Sequence, residues 1–98
     1  MRQYDVCRLK AKEQLIVVLQ HDVMDLLNTR IVAPLSPASS DRHIDKVRIP
    51  VEIDGGRYLL CLDRLAAIDK SQIGNVIDNF SDLEFGIKGG LDFAFFGV

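Results

Sequence analysis

The sequence holds no tryptophan, two cysteines, two histidines and three prolines in 98 residues, and these scarcities narrow the field. Cys7 and Cys61 form no CxxC pair, and nothing suggests an oxidising compartment. Two small buried hydrophobes are expected rather than a disulfide. Two histidines leave little material for metal or acid–base chemistry. Asp41, His43 and Asp45 alternate within a Ser/Asp-rich stretch, and His21, Asp22 and Asp25 cluster earlier. Neither set has the ligand count and spacing of a common metal site, so both read as solvated loop residues and no cofactor is expected. No GxSxG, Walker loop or HExxH is present. No apolar run approaches the ~20 residues of a membrane span. The opening MRQYDVCRLKAKEQ also lacks the apolar region of a signal peptide, which gives a cytoplasmic expectation. A basic excess is missing too. The net charge is −2 and the pI about 5.5, which weighs against a protein working mainly on nucleic-acid backbone.

What remains is an ordinary globular composition, 48% apolar and 27% charged. A chain of this length forms one domain, residues 1–98, able to bury roughly two-thirds of its unfolded surface. Most of it reads as short strands. Gln3 to Cys7 alternates weakly, and the charged Arg8 to Glu13 reads as an exposed loop. Gln14 to Gln20 is β-branched and continuously apolar, the mark of a strand covered on both faces. A mixed loop over His21 to Asn28 leads to a strand over Thr29 to Leu35, with Pro34 at its end or on an edge. Ser36 to Ile44 is loop. Val47, Ile49, Val51 and Ile53 alternate with polar residues. Asp54-Gly55-Gly56-Arg57 then supplies a two-residue hairpin turn into Tyr58 to Leu62. Asp63 to Lys70 carries no clear pattern. Ile73, Val76, Ile77 and Phe80 match helical spacing, but Gly74 and its polar neighbours favour a turn and a short strand. The pattern predicts a small barrel or curled antiparallel sheet rather than a βαβ fold.

The last stretch, Ser81 to Val98, reads as one helix. Ser81 and Glu84 have the spacing of a capping box, and Asp82 and Glu84 put negative charge in the first turn. Leu83, Ile87, Gly90, Leu91 and Ala94 fall on one apolar stripe, enough to dock the helix. Phe85, Asp92 and Phe96 fall opposite, with Phe93 and Phe95 between. The aromatics are therefore surplus to docking, and two uses stand open. They fill the core through a bent last turn that Gly89–Gly90 permits, or they form a contact surface for another chain. Together with the continuously apolar strand Leu15 to Leu19, they lead us to expect a homodimer.

One enzymatic reading rests on the residues themselves. Thr29 and Arg30 beside Arg48 have the chemistry of an RNA-cleaving group, arginine stabilising a phosphorane and threonine positioning it. Structural or surface arginines explain the same residues more simply.

Several stretches, in order, resemble the CcdB toxins of toxin–antitoxin modules. They are Val18-Leu19-Gln20-His21-Asp22-Val23-Met24-Asp25, Thr29-Arg30-Ile31-Val32-Ala33-Pro34-Leu35, Leu65-Ala66-Ala67-Ile68, Ile73-Gly74 and Phe95-Phe96-Gly97-Val98. The resemblance runs through roughly Tyr4 to Val98. It implies a mainly β, SH3-like small barrel or curled antiparallel sheet with one C-terminal α-helix, a fold shared with the MazF toxins. It also implies a homodimer with the helices near the two-fold axis. The implied function is non-enzymatic: binding DNA gyrase through the A-type subunit that forms its cleavage gate, and trapping the gyrase–DNA cleavage complex. A disordered segment of a cognate antitoxin would neutralise it. By the same resemblance the gyrase-facing residues are Val23, Met24, Asp92, Phe95, Phe96, Gly97 and Val98, while the antitoxin contacts stay unassigned. Two positions depart from the family's best-studied toxins, which carry tryptophan at the position of Phe96 and asparagine at that of Asp92. Phenylalanine keeps a stacking face but loses area and the indole donor. Aspartate adds a charge to a surface that binding would desolvate. The alternatives are a MazF-like endoribonuclease and a non-toxic, antitoxin-binding relative.

Overall fold

The computed structural model describes residues 2–22, 26–40, 42, 44 and 46–97. Among these described residues, seven strands precede a single α-helix: β1 (Asp5–Leu9), β2 (Leu15–Val18), β3 (Thr29–Pro37), β4 (Arg48–Ile53), β5 (Gly56–Cys61), β6 (Ala66–Asp69), β7 (Ile73–Asn79) and α1 (Glu84–Phe96). They form one antiparallel sheet in the order β4-β5-β3-β2-β1-β7, with β6 paired to β3. The mainly β expectation with one C-terminal helix holds.

The long strand β3 carries the architecture. Its second half pairs with β5, Leu35 opposite Leu60, and its first half pairs with β6, Ile31 opposite Ala67. β2 covers its other edge from Leu15↔Leu35 to Val18↔Val32. One strand thus serves two neighbours in succession, and the sheet curls around it.

Two apolar clusters form, one on each face. Val6, Leu15, Val17, Ala33, Leu35, Ile53, Leu60 and Leu62 make the larger, closed by Phe80 and by Ile87 of α1. Cys7, Ile16, Val18, Val32 and Ile73 make the smaller one behind it. Alternate residues of β2 enter opposite clusters, so its uninterrupted apolar run is satisfied within the chain. Leu15 to Leu19 is fully buried and presents nothing to a second copy, which corrects its use as evidence for a dimer. Cys7 and Cys61 are buried free thiols, and burial pushes the Cys7 thiol up to about 11.

The hairpin closes through a two-residue turn, as expected. Ile53 pairs directly with Gly56, leaving only Asp54 and Gly55 in the loop. Both have positive φ, 49° and 79°, the primed turn that matches strand twist and that Asp-Gly favours.

Other boundaries move. Arg8 and Leu9 belong to β1, because Arg8 pairs with Leu15 of β2 and Leu9 with Ile73 of β7 across an irregular register. The patternless segment holds β6, formed by pairing rather than by propensity. The segment with helical spacing is strand, as its glycine suggested, and runs the full length of β7. The capping box is not made. Ser81–Leu83 forms a 3-10 turn, and α1 starts at Glu84 with no side-chain cap. The Ser81 N–H donates to Asn79 Oδ1 at 2.8 Å instead.

Candidate functional site

α1 docks through few residues. Ile87 and Gly90 are its buried positions, and Leu83 and Leu91 pack half-buried against the larger cluster. Gly90 sets the depth of docking. A Cβ there would stand 2.5 Å from both Leu62 Cδ1 and the Lys46 carbonyl oxygen. No side chain fits, so the helix backbone rests directly on its support. Ala94, expected on the docking stripe, is exposed.

The surplus aromatics face outward. Phe85 is 92% exposed, Phe96 77%, Phe95 66% and Phe93 36%. The reading in which a bent last turn folds them into the core is thereby overturned. The helix stays regular through Phe96 and ends on Gly97 at φ 74°, whose N–H donates to the Phe93 carbonyl at 2.9 Å. Glycine accepts that left-handed cap without a Cβ penalty. The Phe95 and Phe96 rings lie 6.4 Å apart at 52°, an aromatic pair at the helix tip.

Two hollows flank this tip. One of about 490 Å³ is lined by Val47, Leu62, Leu65, Phe93, Ala94 and Phe95, with Asp63 at its rim. The other, about 540 Å³, has Gly86 and Gly89 as its floor and Phe85, Ile49 and Phe93 as walls. Lys46 and Asp92 place one charge of each sign at its margin, and the Lys46 ammonium stands 5.0 Å over the Phe93 ring.

Asp92, Phe95, Phe96 and Gly97 therefore share the exposed last turns of one helix, with no part in the core. Val23, Met24 and Val98 lie outside the described residues, as do Asp25, Asp41, His43 and Asp45. Next to the first of these, Leu26 is 95% and Leu27 46% exposed, a second apolar surface that sequence reading passes over. Phe85 likewise falls off the docking stripe with no use that the sequence assigns.

The two arginines of the RNA-cleaving reading are built into the fold. The Arg48 guanidinium is buried, forks onto Asp63 at 2.9 and 3.2 Å, and donates to the Arg42 carbonyl at 2.9 Å. That bond is the main reason the Asp63 carboxyl sits below its usual range. Arg30 is buried as well and donates to the carbonyls of Leu27 and Thr29. Both side chains tie down loops. Thr29 is exposed at the start of β3.

At its first turn α1 is held by a polar chain. The Tyr4 hydroxyl donates to Glu84 Oε1 at 3.2 Å, and Lys88 Nζ lies 3.0 Å from the same oxygen. Lys88 draws the Glu84 carboxyl down. Burial, then the Glu84 charge, raises the Tyr4 phenol.

The molecule is thus a curled antiparallel sheet capped by one helix with an exposed aromatic tip. Comparison with solved structures agrees on the fold. A Mycobacterium tuberculosis toxin, MazF-mt6, superposes with a TM-score of 0.76 at 18% identity, covering 96% of both chains. An endoribonuclease in complex with its cognate antitoxin, from a mycobacterial species, gives 0.79 at 11% identity, over 97% of this chain and 94% of that one. The MazE–MazF structure from Deinococcus radiodurans gives 0.68 at 14% identity, over 94% and 92%. No individually curated protein matches in sequence. The family model described as CcdB protein matches residues 3–97. The chain belongs to the CcdB family, which places it among the toxin components of toxin–antitoxin systems.

Proposed function

We propose that this protein acts by gripping another protein rather than by catalysis. In this reading a homodimer binds the gyrase cleavage subunit through Asp92, Phe95, Phe96 and Gly97, with Val23, Met24 and Val98 completing the surface. It traps gyrase on cleaved DNA until a cognate antitoxin removes it. The observation that carries the reading is the exposure of Phe95 and Phe96 on a helix already docked without them. Large aromatics left in solvent by the fold are the usual anchors of an interface. The acidic net charge fits, because the target holds the DNA. Asp92 and Phe96 make the surface more charged and smaller-ringed than that of the family's best-studied toxins, so the grip is weaker than theirs.

The test is induction in a gyrase-sensitive bacterium beside an isogenic strain whose gyrase cleavage subunit is toxin-resistant. Growth arrest confined to the sensitive strain supports the reading, and equal arrest in both refutes it.

RNA cleavage is the rival reading, since solved neighbours include proteins named as endoribonucleases. Against it, Arg30 and Arg48 are spent on carbonyls and Asp63. Specific cuts in a defined transcript, lost in Arg30→Ala but kept in Phe96→Ala, would favour it. Arrest in neither strain, with antitoxin binding retained, would favour a non-toxic relative.

A further inference from the structure

β1 separates β2 from β7 in the sheet, so the loop leaving β2 and the helix following β7 hang from opposite neighbours. Gln3 and Tyr4, just ahead of β1, bond to both. Toward β2, the Gln3 N–H donates to Asp22 Oδ1 at 2.6 Å, Gln3 Nε2 to the Leu19 carbonyl at 2.9 Å, and the Tyr4 N–H to the Val18 carbonyl at 2.6 Å. These acceptors climb the stem of the loop that leads to Val23 and Met24. Toward α1, the Tyr4 carbonyl accepts the Phe80 N–H at 2.9 Å. Asn79 Nδ2 donates to the Gln3 carbonyl at 3.2 Å, and the Tyr4 hydroxyl reaches Glu84 in the first helical turn. Tyr4 makes these bonds at φ 69°, a region that bulky residues rarely occupy. Such a conformation persists only where its surroundings over-determine it. The residue is 5% exposed and belongs to the larger apolar cluster.

We propose that Gln3–Tyr4 is a splint that fixes the loop after β2 relative to α1, with Tyr4 and Asp22 as its positioning residues. The inference rests on the reading above, in which one target meets both that loop and the far end of α1. Thirteen helical residues span about 20 Å, so a small tilt at Glu84 becomes a large displacement at Phe96. A target touching both places binds well only if their separation is preset, because ordering them otherwise falls on the binding step.

Amide exchange on the free, full-length protein tests this without any target. Tyr4→Phe keeps the ring and removes the hydroxyl bonded to Glu84. It should speed exchange about fivefold at residues 84–88 and also at 19–22 and 26–28, which that hydroxyl does not bond. Asp22→Ala should show the reciprocal effect, and Asp22→Asn, which keeps the Oδ1 acceptor, should restore wild-type rates. Amides of β3 and β5 should be unchanged throughout. Effects confined to the helix in one variant and to the loop in the other would overturn the splint. So would general acceleration including β3 and β5, which would make both residues ordinary supports of the fold. Binding to the purified gyrase cleavage subunit separates the two readings. A wild-type protein that fails to bind sinks the gyrase assignment and leaves the exchange result to decide the splint. Coupled exchange with undiminished binding by Tyr4→Phe would show that the splint does not serve target recognition.

Discussion

Neighbouring glycines in α1 do opposite things. Gly90 touches Leu62 and the Lys46 carbonyl where a Cβ would be, whereas a Cβ on Gly89 would meet nothing within 4 Å. Gly90→Ala should therefore destabilise by about 2 kcal/mol through overpacking, and Gly89→Ala should stabilise by up to about 1 kcal/mol through helix propensity. Denaturant midpoints of the two variants should move apart on either side of wild type. Arg48 gives a second residue-scale prediction. Arg48→Ala removes the fork to Asp63 and the bond to the Arg42 carbonyl, and should cost about 2 kcal/mol or more at neutral pH. Because the fork depresses the folded-state carboxyl of Asp63, its stabilisation is present above the unfolded value, near ~3.9, and is lost as pH falls through the lower folded value. The midpoint difference between wild type and Arg48→Ala should shrink on acidification through that window. A difference that grows instead would mean that the bond does not govern the titration of Asp63.

Elements differ in how plainly the sequence announces them. The β4–β5 hairpin is legible because alternation and Asp54-Gly55 agree on one local geometry. β2 is legible because only a doubly covered strand tolerates LIVV without a polar residue. β6 is not, since Ala66-Ala67-Ile68-Asp69 alternates too weakly and exists by pairing with β3. The helix start misleads for a related reason. Glu84 has the right spacing to cap Ser81, but Tyr4, eighty positions away in sequence, and Lys88 occupy its carboxylate. In the candidate site the aromatic excess is readable from the helical wheel, whereas its exposure depends on how deeply Gly90 lets the helix sit. Leu26, Leu27 and Phe85 carry no signal, because a single apolar residue in a loop or off a stripe is common. That exposure leads to an element-scale prediction. Phe96→Ala should leave the denaturant midpoint unchanged, whereas a core phenylalanine truncated to alanine costs about 3–5 kcal/mol. Growth arrest should nevertheless be lost, as for an interface anchor worth about 2 kcal/mol. Phe96→Trp should strengthen arrest in gyrase-sensitive cells alone. A collapsed midpoint in Phe96→Ala would return the residue to the core and remove the basis of the assignment.

At the scale of the whole molecule, one fold supports both contact and cleavage in the proteins it resembles, so architecture alone does not choose between them. Assembly bears on the choice. With β2 satisfied inside the chain, an apolar surface among the described residues that a second copy could cover is the side of α1 carrying Phe93 and Ala94. It continues into the hollow lined by Val47, Leu62 and Leu65. A two-fold axis there would cover Phe93 and Ala94 on both protomers and bring the Phe95–Phe96 tips side by side, doubling the surface offered to a symmetric target. Micromolar protein should therefore sediment at twice the 11.0 kDa of one chain. Ala94→Asp should shift it to the monomer, because two carboxylates would face each other in an apolar seam. Phe96→Asp should leave the dimer intact while abolishing arrest, since its ring lies at the open end of the helix. Parallel behaviour of the two variants in sedimentation and in growth would mean that assembly and target contact use one surface. In that case a dimer could not present the tip, and the contact reading would give way to another.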